Sequence, residues 1–305
     1  MIHTVIRRET LVPIRFIVAL AAAVTLAACN TPQSTSAPAD FATPDAAVAA
    51  LKGVLQNPDP RVAAVLFGPR WSELRQSPDE APRMRAAFLS RLEQGYRIDR
   101  VGNGAIVVVG AADDPDRFAF AVPLRERDGR WSWDTSAGIE EFRRRRLGRN
   151  ELDTIDAMKA IAVAQRAYSD SMSQGGGAKV FATRIKSSVG RKDGLYWPTT
   201  AVEPPAPIGV ALADADCTSG DSKSVVPFHG YRFAVLPAGS GGESGTVIAW
   251  PDQYGVSGIM TFMVGADGIV YERDLGEDTP RALTKCRESG AFAGWMRSDM
   301  ASTKG

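Results

Sequence analysis

The sequence predicts an α+β fold in which helices come first and an antiparallel sheet follows, once in each half of the chain. Three observations predict it. Apolar residues recur at helical spacing through residues 44–94, runs rich in β-branched and aromatic residues then alternate with glycine-containing turns, and residues 246–276 hold three such runs in succession. Helices grouped ahead of strands are typical of α+β domains.

The N-terminus predicts a lipoprotein signal. A basic region precedes the apolar run 16–26, and the letters LAAC then end at Cys29. We therefore interpret residues 1–28 as a signal peptide and Cys29 as the acylated first residue of a membrane-tethered mature chain. Asn30 in the next position favours the outer membrane, facing the periplasm, of a Gram-negative cell. The alternative is an ordinary signal peptide that happens to contain a cysteine.

The remaining chain is predicted to form a short tether, two domains and a tail. The tether is rich in Pro, Ser, Thr and Ala, which is typical of a flexible spacer. The predicted parts are the tether 29–40, an α+β domain 41–147, a helix-plus-sheet domain 148–290 and a C-terminal tail 291–305.

The charge of the mature chain gives no general attraction to polyanions. The whole chain has 36 Lys and Arg against 35 Asp and Glu. Removing the signal takes away three arginines and one glutamate, which leaves 33 and 34 and a net charge of −1. Nucleic acid is therefore not an expected partner. No dinucleotide, P-loop or zinc-protease motif predicts a cofactor.

The cysteines beyond the anchor predict a disulfide. Cys217 and Cys286 form an even pair, and an oxidising envelope favours their oxidation. Closing so long a loop would stabilise the fold by about 4 kcal/mol. Metal ligation or a reactive thiol is the alternative, but metal sites of this kind use three or four Cys or His ligands, and only His229 remains as histidine. No metal is predicted.

Three helices and four strands are predicted for the first domain. Thr43 and Asp59 each precede a proline and an apolar stripe, a pattern typical of helix starts, and a third helix covers 82–94. The predicted strands are 96–101, 105–109, 118–124 and 131–135. This order resembles the cone-shaped NTF2-like fold, with a curled antiparallel sheet. Three aromatic residues are interpreted as core or rim side chains rather than a ligand cage: Trp71, Trp131 and Trp133.

A long helix packed on an antiparallel meander is predicted for the second domain. Gly148 is expected to break or bend the chain before helical spacing resumes, and residues 181–185 predict one further helical turn. The strand 258–264 is apolar on both faces, which predicts a central strand covered on both sides. The predicted strands are 230–236, 246–250, 258–264 and 269–274, with Asp267-Gly268 as the last hairpin turn.

A basic cluster lies between the halves, at residues 143–149. Such a cluster suits phosphate, lipid headgroups or an acidic partner. The alternative is a solvated helix face balanced by Glu140 and Glu141. We favour this alternative because no aromatic residues interleave with the arginines, as a nucleic-acid platform would require.

Six segments resemble one bacterial family when taken together. They are RLGRNE (146–151), GLYWP (194–198), GYRF (230–233), WPDQYGVSGIMTF (250–262), DGIVY (267–271) and DLG (274–276). As a set they resemble the family catalogued as domain of unknown function 2950, over residues 41–279. That family has no established activity, so the resemblance implies no catalytic residues. The second half also resembles the globular head of type II secretion pseudopilins, a fold-level likeness that implies no function.

The residue inventory favours a protein that is not an enzyme. No serine has the context of a triad nucleophile, and Ser257 has the wrong glycine spacing. Paired carboxylates stay open as a hydrolytic site, although the candidates lie in turns or at a strand end, where acidic residues are common for structural reasons. These candidates are Asp252, Asp267, Glu272 and Asp274.

The leading hypothesis is a non-catalytic, lipid-anchored envelope protein that binds other envelope proteins or cell-wall glycan. Four aromatic residues are the contacts to test first: Tyr196, Trp197, Trp250 and Tyr254. One alternative is a hydrolase or carbohydrate-modifying enzyme with a carboxylate pair. The other is an assembly subunit of a pilin-like or secretion system.

Overall fold

The computed structural model describes residues 37–74, 81–173, 178–199, 203, 205–218, 225–236, 244–265, 267–279, 281, 284 and 294–298. The chain separates into two compact units, Met1–Arg144 and Arg145–Gly305, and each has its own hydrophobic core. Helices combined with antiparallel sheets confirm the predicted α+β class. Within the described part of the chain, none of the helices is long and apolar enough to cross a bilayer.

The helices of the first unit begin where the sequence predicts. Thr43 Oγ1 accepts a hydrogen bond from Ala46 N at 3.2 Å, and the Asp59 carboxylate accepts one from Arg61 N at 2.8 Å. Each bond satisfies an N–H group that has no partner within its helix. The helices are α1 (Pro44–Gln56), α2 (Pro60–Phe67), a 3-10 turn (Trp71–Leu74) and α3 (Ala81–Gln94).

The first unit contains a six-stranded antiparallel sheet. Its order is β1-β6-β5-β3-β2, with β4 paired to β3. Of the strand predicted over 118–124, only Phe118–Ala119 and Leu124 lie in strands, and Leu124 begins a separate strand that continues to Arg127. Pro123 directly precedes that strand and has no N–H to continue the ladder. The strands are β1 (Asp40–Phe41), β2 (Tyr96–Val101), β3 (Gly104–Val109), β4 (Phe118–Ala119), β5 (Leu124–Arg127) and β6 (Arg130–Trp133).

The tryptophans of this unit belong to its core. Trp133 is 1 % exposed, and its ring meets that of Phe120 edge-on at 5.4 Å between centroids. Trp131 is also buried, and the half-buried Trp71 packs against the same core. The interpretation as core or rim aromatics is confirmed.

A 38-residue helix, α4 (Thr135–Met172), follows β6 directly. The Asp134 carboxylate accepts from Ala137 N at 3.0 Å, so the last residue predicted for a strand starts the helix instead. The predicted break at Gly148 is wrong: the helix continues through it. A glycine keeps its N–H, so the hydrogen bonds of the helix continue through it, and its cost in conformational freedom is only about 1 kcal/mol.

The second unit packs α4 on a five-stranded antiparallel sheet with the order β13-β12-β11-β10-β9. Met158 and Ile161 of α4 are fully buried on one face of the sheet, while Ala234, Ile248 and the half-buried Trp250 form a core on the other. The predicted central strand is confirmed, because β11 lies between β10 and β12 with both faces covered. The strands are β9 (Tyr231–Val235), β10 (Val247–Pro251), β11 (Met260–Val264), β12 (Val270–Asp274) and β13 (Met296–Arg297).

A small parallel pair completes the described secondary structure, with β7 (Arg184–Lys186) beside β8 (Gly194–Tyr196), and a short helix α5 (Val210–Ala213) follows. The helical turn predicted over 181–185 is wrong. The Gln165 side chain exchanges two hydrogen bonds with the Ala182 backbone, at 3.0 and 3.1 Å, and holds it extended ahead of β7.

Candidate functional site

Three of the six segments that carry the resemblance meet at one end of the second sheet. Asn150 Nδ2 donates to the carbonyl of Ser257 at 2.8 Å. Glu151 Oε1 accepts from the backbone N–H groups of Ile259 at 2.8 Å and Met260 at 3.1 Å. Two consecutive side chains of α4 therefore hold the loop that leads into β11.

Tyr231 fills the space beneath this loop. Its ring is fully buried, and its O–H donates to the Met260 carbonyl at 2.9 Å. A Cβ on Gly258 would collide with the Tyr231 hydroxyl, so the absence of a side chain at Gly258 admits the ring. Burial raises the pKa of Tyr231 far above its usual range, with the nearby charges of Glu151 and Glu272 adding to the effect. The phenol is therefore a permanent donor.

Glu272 is the unusual member of this group. It lies on β12 opposite Phe262 and is only 7 % exposed. Among the described residues, its carboxyl has no hydrogen-bond partner. Burial raises its pKa above the ordinary value of 4.5, and the charge of Glu151 raises it further. We call Glu151, Tyr231 and Glu272 the carboxylate junction. It contains two acids in different environments, one held by backbone N–H groups and one desolvated.

Replacing Glu272 with glutamine is expected to stabilise the protein at neutral pH. Because its pKa is raised on folding, the folded state binds the proton more tightly, and stability is lost as pH rises above 4.5 through the folded pKa. E272Q removes this loss. The free energy of unfolding should exceed that of the wild type by about 1 kcal/mol at pH 7, and the difference should vanish near pH 4.

The matched control is E277Q, because Glu277 is an exposed glutamate that follows β12 in the sequence. E277Q should change the midpoint of denaturant unfolding at pH 7 and near pH 4 by no more than surface substitutions usually do. If E272Q and the wild type show the same pH profile, the raised pKa of Glu272 is wrong.

The opposite face of β9 carries an ion pair beside a cysteine. Arg232 Nε lies 2.5 Å from the Asp252 carboxylate, and its Nη1 donates to Cys217 Sγ at 3.9 Å. Burial raises the pKa of the Cys217 thiol. Cys217 is a free thiol in the structure, and Cys286 lies outside the described residues, as does Cys29. The structure thus gives no support to the predicted disulfide, which stays a prediction.

The segments that meet at this end of the sheet lie within the region that matches a known protein family. The model of the family described as "Protein of unknown function (DUF2950)" matches residues 39–297. The chain belongs to the DUF2950 family. The predicted resemblance is confirmed, and the carboxylate junction is built largely from its segments. Neither the curated proteins nor the solved structures contain a match.

The first unit of this DUF2950 protein contains a pocket of about 690 Å³. Phe67 and Trp133 line it together with Ala37, Pro38 and Asp40. We call it the arginine pocket, because its charged lining consists of four arginines and three carboxylates: Arg70, Arg125, Arg127, Arg130, Asp40, Asp128 and Asp134.

The four aromatic residues predicted as contacts are half-buried and do not form one exposed face. Tyr196 and Trp197 pack on the helix-side core, whereas Trp250 packs on the opposite face of the sheet. Tyr254 donates to the Asp274 carboxylate at 3.1 Å. Their role in binding stays a prediction.

Of the four predicted acids, three have structural partners and one has none within the described part of the chain. Asp252 pairs with Arg232, Asp267 accepts from the Ile269 N–H in its turn, and Asp274 accepts from Tyr254 and Gly276. Glu272 has no hydrogen-bond partner among the described residues, and burial raises its pKa. Sequence reasoning missed its neighbours Glu151 and Tyr231, although both lie in the family segments.

Other predicted features have local roles. Ser257 Oγ accepts from Gln253 N at 3.0 Å, and His229 lies 3.3 Å from the Asp153 carboxylate. In the part of the chain that the structure describes, no cluster of His, Cys, Asp or Glu is placed to hold a metal.

In the basic cluster, Arg143 pairs with Glu140 at 3.5 Å and Arg144 pairs with Glu141 at 2.7 Å, as a balanced helix face requires.

Proposed function

We propose that this DUF2950 protein is a lipid-anchored protein of the bacterial cell envelope that works by binding rather than by catalysis. Acylation at Cys29 would tether it to the outer membrane, on the periplasmic side. The arginine pocket is its binding site in this proposal, and other envelope proteins or cell-wall glycan are the macromolecular partners.

One observation carries this proposal: the last residues of the predicted tether line the arginine pocket. Ala37 and Pro38 form part of the pocket wall. Ala37 is eight residues after Cys29 in the sequence, and eight extended residues span at most about 29 Å. An acylated chain would therefore keep the pocket close to a membrane surface.

The anchor is tested by growing cells with a labelled fatty acid. The wild-type protein should carry the label and fractionate with membranes, whereas C29S should carry none. C217S is the control, and it should stay labelled. Recovery of unlabelled wild-type protein in the soluble cytosolic fraction would contradict the anchor. Crosslinking in intact envelopes, followed by capture of the labelled protein, would then identify its partners.

A hydrolase or carbohydrate-modifying enzyme is the second candidate, and the carboxylate junction favours it. A desolvated acid beside a second carboxylate is the arrangement that general acid catalysis uses. Glu272 and Glu151 provide it, and Phe262 and Tyr231 supply aromatic walls. The mature chain should then release products from cell-wall glycan fragments. E272Q should abolish the release and E277Q should not, whereas no release by the wild type would exclude this candidate.

The third candidate is an assembly subunit of a pilin-like or secretion system. The packing of α4 on the meander of the second unit is the observation that supports it. Crosslinked ladders of the protein with itself in intact envelopes would favour this role over binding of a separate partner.

A further inference from the structure

We propose that the arginine pocket binds a phosphoethanolamine headgroup, a phosphate joined to a primary ammonium group, from the membrane to which the chain is tethered. This inference rests on the proposed envelope location and names the ligand of the same pocket. The charges that the pocket leaves unpaired and the position of the tether support it.

Three of the four arginines in the pocket are already paired with carboxylates. Each pair holds its guanidinium in place and cancels its charge, while the planar fork keeps further N–H groups for a ligand. The pairs are Arg130 with Asp40 at 2.9 Å, Arg125 with Asp134 at 2.7 Å, and Arg70 with Glu73 at 2.7 Å.

The two remaining charges of the lining are adjacent and of opposite sign. Arg127 ends β5, and Asp128 occupies the turn to β6 with a positive φ of 53°. Both side chains are exposed, and neither has an ion pair or a side-chain hydrogen bond among the described residues. The pocket therefore offers one unpaired cation and one unpaired anion at a single edge.

A zwitterion matches this edge better than a simple anion. Arginine donates two parallel N–H groups to phosphate, and a carboxylate accepts from an ammonium group. A ligand with negative charge alone would satisfy Arg127 but be repelled by Asp128. A pocket of about 690 Å³ has ample room for such a headgroup.

The tether places the pocket near this ligand. Ala39 N donates to the Val65 carbonyl at 2.8 Å, and β1 pairs with β6 from Asp40 onward, so the end of the predicted tether is fixed at the pocket rim. With Cys29 acylated, the short tether makes the pocket's encounter with headgroups intramolecular. A weak individual affinity is then sufficient for occupancy.

The experiment uses the full mature chain with C29S, which separates headgroup binding from anchoring. Vesicles of phosphatidylcholine that contain either phosphatidylethanolamine or phosphatidylglycerol are sedimented with the protein. We expect preferential retention on the phosphatidylethanolamine vesicles. R127Q should weaken this retention about ten-fold, the value of one good charge-assisted contact. R61Q, at an exposed arginine of the same unit outside the pocket, should have no effect.

Two further arms test the charge pairing and the source of the phosphate. D128N keeps a residue that tolerates positive φ, and it should abolish the preference for phosphatidylethanolamine over phosphatidylglycerol. Free phosphoethanolamine should compete with the vesicles far better than inorganic phosphate. Equal retention on both vesicle types by the wild type, unaltered retention of R127Q, or equal competition by inorganic phosphate would each overturn the proposal. None of these results depends on acylation, so a failed labelling experiment is a separate outcome.

Discussion

Substituting alanine for Gly258 is expected to destabilise the second unit by about 3 kcal/mol, the upper end of the usual cost of overpacking. The added Cβ would overlap the Tyr231 hydroxyl and come within 2.5 Å of its Cζ. The ring has no space to retreat, because it is fully buried against Phe262 with 5.7 Å between ring centroids. The midpoint of denaturant unfolding measures the effect.

The matched control is G148A. Gly148 lies inside α4, and a Cβ there would meet no other atom within 4 Å. An alanine should therefore stabilise the helix by about 1 kcal/mol. The double variant G258A/Y231F removes the nearest clashing atom but keeps the ring carbons, so it should recover part of the loss. Equal stability of G258A and the wild type would show that the loop and the ring do not pack as described.

Truncating Glu151 to alanine is expected to cost about 2 kcal/mol, because hydrogen bonds to charged groups are the stronger ones. Glu151 is the acceptor for the backbone N–H groups of Ile259 and Met260, and it fixes the start of β11 to α4. Without it, hydrogen exchange at those two amides should accelerate more than in the rest of the strand.

The conservative variant E151Q separates the two roles of this side chain. Glutamine keeps an acceptor oxygen for the loop but removes the charge that helps to raise the pKa of Glu272. E151Q should therefore lose less stability than E151A, and its stability should fall less steeply with pH than that of the wild type. E126Q in the first unit is the control. If the stability of E151Q fell with pH as steeply as that of the wild type, the charge coupling between the two glutamates would be refuted, and equal stability of E151A and E151Q would refute the hydrogen-bond role of the side chain.

The features predicted correctly are those set by neighbouring residues. Thr43 and Asp59 cap their helices because the bonds they accept come from N–H groups two or three residues away. The turn at Asp267 is equally local, since Asp267 accepts from Ile269 N and Gly268 takes a positive φ. The central position of β11 follows from its apolar character on both faces. Such signals lie within a few residues, so a sequence shows them directly.

The features predicted wrongly are those that depend on distant packing. Gly148 was expected to break or bend the chain because of its low helix propensity, and the break is wrong because α4 continues through it. The helical turn predicted at 181–185 gave way to an extended segment because Gln165 bonds to Ala182 from α4. Local preference is weak, at about 1 kcal/mol per residue, and tertiary contacts override it.

In the candidate sites, too, the features that the sequence did not predict depend on residues that are distant in the chain. Glu272 was one of four possible acids, and only burial beside Glu151, which is far from it in the sequence, distinguishes it from the other three. The arginine pocket brings residues 37–40 together with Arg70 and with the β5–β6 hairpin, and no sequence motif predicts this combination.

The sequence by itself determined the fold class, the family, the order of most helices and strands, and the expectation of an acylated Cys29. These depend on composition, periodicity and short-range turn and cap chemistry. Only the tertiary structure decided which acid is desolvated, which glycine has no room for a side chain, and which charges remain unpaired in a pocket. The reason is physical: desolvation, collision and charge pairing are properties of atoms close in space, and here the chain brings those atoms together from distant positions.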